Sequence, residues 1–389
     1  MEYIRPDYYN EFACIGGKCP DTCCAGWQIV IDEESLENYR NEKSPFANRL
    51  HNDIDWKEHT FKQYKNNCCF LSEEHLCDIY SELGEEHLCE TCRTYPRHIE
   101  EYDGRKEEFL CMSCPVVADL LLGREKKTEL ILEERQEEEN FDENFDFFLF
   151  TKLEDSRNYL LKLLQNRECD ISIRLAAFLA FGHDFQRRIR NNELCYADEL
   201  LEKYENTATT TFFAKKKASM EKSMANRQLL SLHYLSTLKK LEIRNENWKK
   251  WLDYCERLIK KNSPTEYKRL RRKYKAYLQE QEMLEDWALY QEQIASYFLL
   301  NYYCGAVYDE RVYAKVKLAI LSTYIIEEMV FCAWVGKEKV PDKKIWVKLS
   351  YQYSREIEHS EPNLAKLEKE FSVNTQYSLQ NLLNGIFCE

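Results

Sequence analysis

Glycine and proline are scarce, at 10 and 8 of 389 residues. A turn-rich β protein uses both freely, so the shortage argues for long helices. Between Pro115 and Pro264 there is no proline at all, so no proline there interrupts a helical ladder. An excess of basic charge is missing too: 55 Lys and Arg stand against 68 Asp and Glu, a net charge of −13. A general nucleic-acid binder needs a basic face, and that class is set aside. The glycine-rich turn of a dinucleotide-type fold is absent, because Gly16-Gly17 is the only adjacent pair and no G-x-G-x-x-G follows a strand. The opening MEYIRPDYYN lacks a basic segment followed by an apolar one, so no secretory signal is expected. The most apolar late stretch, VKLAILSTYIIEEMVFCAWV, carries Lys317, Glu327 and Glu328. It reads as a buried helix rather than a transmembrane span. The expected location is the cytoplasm, where thiols stay reduced and clustered cysteines bind metal or do chemistry more often than they form disulfides.

Cysteine is what the sequence has in abundance. Of 17, eleven fall in the first 114 residues, at 14, 19, 23, 24, 68, 69, 77, 89, 92, 111 and 114. The other six, at 169, 195, 255, 304, 332 and 388, are singles in helical text, where a lone cysteine is ordinarily a small core residue. CPDTCCAGW at 19–27 holds three thiols in six residues. Neighbouring cysteines cannot easily pair with each other, since the Cα separation and torsion of a disulfide are hard to meet across one peptide. CETC at 89–92 has the two-residue gap that a tetrahedral metal site favours. Together with Cys69 and Cys77 it makes a credible all-cysteine zinc site. Iron–sulfur clusters also take thiolates, and no histidine sits inside the C-x3-C-C or C-x2-C units. Soft all-thiolate sites suit both metals, and spacing alone does not separate them. The radical S-adenosylmethionine signature C-x3-C-x2-C is excluded, because Gly26 stands where its third cysteine belongs.

Along the chain, residues 1–124 read as short pieces with turns. GWQIVID alternates as a strand does. Asp32 reads as the N-cap of a helix over 33–42. CDIYSELG reads as a short helix closed by Gly84. HIEEYDGRKEEFL reads as a hairpin turning at Asp103-Gly104. CPVVADLLLG reads as a helix opened by Pro115 and ended by Gly123. EEHLC occurs at 73–77 and again at 85–89, as two copies of a ligand-presenting turn or as chance. The acidic run 133–146 looks like a solvated connector, and NTATTT at 206–211 like a loop or disordered segment. From about 147 the text is helical, with apolar residues three and four apart. KRLRRKYK at 268–275 has six basic residues in eight. It reads as a solvated helix face, or as a docking patch for an acidic partner or an anionic membrane surface, which would make peripheral membrane association the alternative. Asn301-Tyr302-Tyr303 reads as core or cavity lining. The expected architecture is mainly α: a small Cys-rich, metal-binding α+β unit at 1–124, then an all-α helical domain at 125–389.

Cys19-x3-Cys23-Cys24, Cys69-Phe-Leu, Cys77-x-Ile-Tyr and Cys89-x2-Cys92-Arg-x-Tyr-Pro-Arg resemble the framework of the YkgJ-type zinc- or iron-chelating proteins. With Cys-Cys-x-Gly-Trp-x-Ile-x-Ile-Asp at 23–32, Ser-Cys-Pro at 113–115 and the long helical part behind them, the chain is similar to the flagellin lysine N-methylases, the FliB family. The resemblance implies transfer of methyl groups from S-adenosylmethionine to the ε-amines of flagellin lysines. It also implies a 4Fe–4S cluster, with zinc as the alternative. The ligands it implies are Cys19, Cys23, Cys24, Cys69, Cys77, Cys89 and Cys92, with Cys114 in the Ser-Cys-Pro element; Cys14, Cys68 and Cys111 are less secure. The competing classes are a zinc-stapled helical binding module without catalysis, and an iron–sulfur redox or sensor protein. Lysine methylation needs a neutral amine, although a free lysine has a pKa near 10.4, so the site must desolvate the amine or supply a base. With 26 tyrosines in the chain, the sequence does not single out that base.

Overall fold

The computed structural model describes residues 1–137, 143–220, 225–337 and 339–387. The chain divides into two compact units, Met1–Leu120 with Thr128–Glu139, and Leu121–Lys127 with Asn140–Glu389.

The first unit is α+β. Its strands are β1 (Glu2–Pro6), β2 (Ile54–Asp55), β3 (Thr60–Phe61), β4 (Gln63–Tyr64), β5 (Asn67–Cys68), β6 (Arg97–Tyr102), β7 (Arg105–Leu110) and β8 (Leu130–Glu134). Four of them form a sheet in the order β6-β7-β1-β8. β1 runs parallel to β7, with Glu2 opposite Arg105, and antiparallel to β8, with Glu2 opposite Glu134. The β6–β7 hairpin turns at the expected Asp103-Gly104, where Gly104 takes the left-handed conformation at φ +74°. The acidic run 133–146 therefore begins inside β8 rather than in a connector; its residues 138–142 lie outside the described residues.

The Cys-rich segment folds around a second small core of Ile29, Ile31, Leu36, Tyr39, Leu50, Phe61, Phe70 and Ile79, into which Cys68 and Cys89 are also buried. Its helices are α1 (Glu33–Asn41), α2 (Ala47–Asp53), α3 (Asp78–Leu83) and α4 (Glu90–Thr94), followed by α5 (Pro115–Leu122). Asp32 caps α1 as expected, its Oδ1 accepting from Ser35 N at 2.9 Å. Its other oxygen accepts from Glu90 N at 2.8 Å, so one carboxylate holds the starts of α1 and α4 together. GWQIVID differs from expectation. The alternation is there, with Ile29 and Ile31 inward and Val30 exposed, but the ladder is limited to isolated bridges such as Val30 to Thr60. A two-residue partner strand offers too few groups to pair.

The second unit is all-α: α6 (Phe147–Leu164), α7 (Ile171–Arg190), α8 (Ala197–Glu205), α9 (Thr207–Met220), α10 (Ala225–Leu238), α11 (Glu246–Lys261), α12 (Pro264–Glu280), α13 (Leu284–Tyr302), α14 (Val312–Lys337), α15 (Lys343–Glu358), α16 (Glu361–Val373) and α17 (Leu379–Phe387). α14 is its axis, packed by α7, α10, α11, α12, α13, α15 and α16. Val312–Gly336 is long and apolar enough to cross a membrane, yet its most apolar window is 89% buried inside the protein, which makes it a core helix here. α7 and α14 approach closely at Gly182, where an added Cβ would lie 2.6 Å from Val316 Cγ2. The segment 206–211 is helical rather than a loop. Asn206 accepts from Ala208 N at 2.9 Å and caps α9, and Thr210 and Thr211 return their hydroxyls to Thr207 O at 2.9 and 3.0 Å. These local bonds, with buried Phe213 as anchor, outweigh the weak helix preference of threonine. KRLRRKYK lies in α12 and is split by helical periodicity: Arg269, Arg272 and Lys273 face solvent, while Arg271 and Tyr274 are buried.

Candidate functional site

Three chemical environments stand out: the thiols of the first unit, and in the second unit a buried ion-pair network and an open cleft. None of the sixteen described cysteines is in a disulfide. Both EEHLC copies end by setting their cysteine at a helix N-cap, Cys77 on α3 and Cys89 on α4. The approach differs, with His75 in a positive-φ turn in the first copy and a 3-10 turn in the second. Cys92 is one turn into α4, which places it beside Cys89.

The thiols sit in hydrogen-bonded pairs. Cys23 is bonded to Cys24, Cys68 to Cys69, and Cys92 to Cys89. In each pair one sulfur is favoured as thiolate and its partner as thiol. The bond from Cys23, reinforced by Thr22, brings Cys24 down to about 7 against the cost of burial. Cys69 and Cys89 are likewise lowered by their partners, and Cys68 and Cys92 raised by theirs. Burial raises Cys77. The fields also show who neighbours whom. Cys92 and Cys77 both feel Cys24, whereas Cys23 feels Cys14 and Cys114. The two neighbours at 23–24 thus differ in company: Cys24 acts on Cys68, Cys77 and Cys92, and Cys23 is acted on by Cys14 and Cys114. Cys19 Sγ lies 3.2 Å from Asp21 O, and Cys69 Sγ 3.3 Å from Asp53 O.

All-thiol donors suit zinc and iron–sulfur chemistry alike. Their arrangement is nevertheless pairwise. Among the described residues no group of three or more His, Cys, Asp or Glu side chains is placed to hold a metal ion. The donor chemistry fits a soft metal; among the described residues a converged cage is not present.

In the second unit, Glu327 and Glu328 of α14 face Arg227 of α10 and Arg271 of α12, all four buried. Glu327 accepts from Arg227, from Arg271 Nη2 at 3.0 Å and from Trp287 Nε1 at 3.2 Å. Glu328 accepts from Tyr267 OH at 2.7 Å, with Arg227 Nη2 at 3.4 Å. Burial alone would raise the Glu327 carboxyl, but the fields of Arg271 and Arg227 reverse this and hold it below its ordinary range. Two acids and two guanidiniums balance, and the network is closed to solvent. A second buried acid, Glu292, is gripped by Arg174 Nη1 at 2.7 Å and Arg167 Nη2 at 2.9 Å. These charges hold helices together.

The cleft is open. It lies among α7, α8, α9 and α17 and has a volume of about 580 Å³. Ala180, Phe213 and Leu383, all buried, line it, as do Asp184, Lys203 and exposed Phe212. Asp184 Oδ2 accepts from Tyr204 OH at 3.1 Å and from Lys203 Nζ at 3.3 Å. Burial opposes ionisation of Asp184, but bonds from His183, Lys203 and Tyr204 prevail and hold the carboxyl at about 2. Sequence reasoning missed this site, because its polar residues are scattered over three helices and its aromatic pair follows a threonine run that reads as loop. The acids of the ion-pair network were visible as charges inside an apolar run. Their arginine partners were not.

The family model of the FliB lysine N-methylase C-terminal domain matches residues 157–385, more than half of the chain. The flagellar biosynthetic protein FliU of Salmonella muenchen is 29% identical over 128 residues, which cover 31% of this chain and 76% of that protein. The lysine-N-methylases of Salmonella typhimurium strain LT2 and Salmonella choleraesuis are each 29% identical over 128 residues, covering 31% of this chain and 32% of the relative. The chain thus spans about a third of the length of these two methylases. No solved structure matches.

Proposed function

Because the chain belongs to the FliB lysine N-methylase family, we propose that it is a protein lysine methyltransferase, carrying methyl groups from S-adenosylmethionine to the ε-amines of flagellin lysines. The family match over 157–385 carries this reading. It is supported by relatives named lysine-N-methylase and by one named for flagellar biosynthesis. In the reaction the lone pair of a neutral lysine nitrogen attacks the methyl carbon. The carbon–sulfur bond breaks with its electron pair going to sulfur, and the product nitrogen releases a proton to solvent. Charge is lost from sulfur as the thioether leaves, so an apolar surrounding that disfavours the sulfonium assists the step. Holding nitrogen, carbon and sulfur in line supplies much of the remainder.

The thiol-rich unit is proposed to hold a soft metal, as a 4Fe–4S cluster or as zinc, with Cys24, Cys77, Cys89 and Cys92 as the ligands. The family resemblance adds Cys19, Cys23, Cys69 and Cys114 as further proposed ligands. A bound metal would tie α3 and α4 to the 23–24 turn and lock the unit; no step of methyl transfer is assigned to it. Metal content of anaerobically purified protein distinguishes the two: four iron and four sulfide per chain, or stoichiometric zinc with no iron.

The test of the activity is co-expression with flagellin followed by mass spectrometry of flagellin peptides. The expected result is a gain of whole methyl groups on lysines, abolished in Cys24→Ser. Unmodified flagellin alongside well-folded protein would overturn the reading.

A further inference from the structure

The cleft among α7, α8, α9 and α17 is lined by none of the residues of the buried ion-pair network. Its volume of about 580 Å³ falls in the range of small-molecule sites, roughly 300–1,000 Å³. It also has the composition of one: an apolar floor with a few convergent polar groups.

The geometry points to this cleft as the seat of a nucleoside bearing an amino-acid arm, the chemical class of the methyl donor and of its demethylated product. This rests on the methyltransferase reading. Three observations carry it. First, Phe212 is 58% exposed at the rim, while its neighbour Phe213 is buried with the two rings 5.2 Å apart, edge to face. A solvent-facing ring braced by a buried one is a stacking platform, and a base stacked on such a ring gains about 1–3 kcal/mol. Second, Asp184 and Lys203 put opposite charges 3.3 Å apart on one wall. An α-amino acid carries its ammonium and carboxylate on a single carbon, so this pair complements both at once, with Lys216 as a second cation on the same cleft. Third, the site is poor for phosphates. The fixed Asp184 carboxylate stands in the cleft, and no glycine-rich loop lines it. A nucleoside without phosphates, carrying a zwitterion, meets all three conditions. The helical fold also explains the lack of a glycine fingerprint, since the donor is held by side chains rather than by a backbone turn.

The experiment is equilibrium dialysis of the purified, metal-loaded full-length protein with S-adenosylhomocysteine, and with adenosine triphosphate in parallel. The expected result is that wild type binds S-adenosylhomocysteine at least tenfold more tightly than the triphosphate. Phe212→Ala should weaken binding about tenfold. Asp184→Asn should weaken it several-fold. Ala208→Trp, at an exposed position lining the cleft, should block binding while leaving the thermal unfolding midpoint in place. Leu229→Ala, an exposed apolar position outside the cleft, should bind as wild type does. Tighter binding of the triphosphate, or wild-type affinity in both Phe212→Ala and Ala208→Trp, overturns the cleft assignment and leaves the methyltransferase reading intact. Methylated flagellin in the co-expression assay together with no binding by wild type also overturns the cleft alone. No methylation and no binding overturns both.

Discussion

Glu327→Gln tests whether the buried charges of the second unit are held together as the distances indicate. The substitution keeps shape and volume, so no cavity forms and the change is electrostatic. It removes the carboxylate that faces Arg227 and Arg271, each only 3% exposed, and leaves two guanidiniums facing Glu328 alone. Breaking one partner of a buried pair costs about 3–5 kcal/mol, because the remaining charge stays desolvated. For a unit of this size each kcal/mol moves the midpoint by about 2–4 °C, so a fall of roughly 6–20 °C is expected by calorimetry or circular dichroism. The pH dependence has a definite sign. The Glu327 carboxyl is lowered in the folded state, so its stabilisation is complete above the ordinary glutamate pKa of about 4.3 and is lost as pH falls below it. The variant should therefore lose less than wild type between neutral and acid pH. Arg271→Gln combined with Glu327→Gln restores neutrality, and the double variant should lose clearly less than the sum of the two single losses. A loss under about 1 kcal/mol for Glu327→Gln, or strict additivity in the double variant, would refute the reasoning.

Gly182→Ala places a methyl carbon 2.6 Å from Val316 Cγ2, and overpacking α7 against α14 should cost about 1–3 kcal/mol by urea unfolding. His359 is held at about 3 by burial and by the fields of Arg355 and Arg244. The folded chain thus refuses a proton that the unfolded chain takes near 6.5, and stability falls as pH drops from that point toward 3. His359→Gln should remove about 2–3 kcal/mol of this loss at pH 4.5, two units below 6.5 at about 1.4 kcal/mol each, measured as the difference between denaturation curves at pH 7 and 4.5. In reduced, metal-free protein, iodoacetamide labelling of Cys24 should rise with a midpoint near its pKa of about 7, ahead of Cys23, whose thiol is raised; peptide mapping across pH 6–9 reads the order.

Much of the fold was legible where one local rule acts alone. Asp32 capping α1, Gly84 ending α3, Pro115 opening α5 and Asp103-Gly104 turning the hairpin each follow from a residue whose geometry permits little else. The misreadings came where tertiary partners decide. GWQIVID alternates correctly, yet a strand needs a partner, and the chain opposite offers single bridges. NTATTT carries loop composition, yet Asn206 caps and Phe213 anchors a helix. The basic run in α12 looks uniform in one dimension, while the 3.6-residue period turns Arg271 alone into the ion-pair network. For the site, the sequence shows which thiols exist and how they are spaced. It does not show that Cys23 and Cys24 face different neighbours, because that depends on where α3, α4 and the 111–114 turn are brought.

The charged groups of the second unit separate by what opposes them. Glu327, Glu328 and Glu292 each face buried arginines and are themselves about 1% exposed, so they are shut away from any ligand in solvent. Asp184 is opposed by a lysine and a tyrosine hydroxyl at the wall of an open cleft. A lysine ammonium is a mobile point charge with donors to spare, and it can turn to a ligand carboxylate without breaking the fold. Arginine therefore marks the charges that hold helices together, and the Asp184–Lys203 pair marks the ones available for binding. On this argument, changes at Arg227 or Arg271 act through stability, whereas changes at Lys203 or Phe212 act through ligand affinity at unchanged stability.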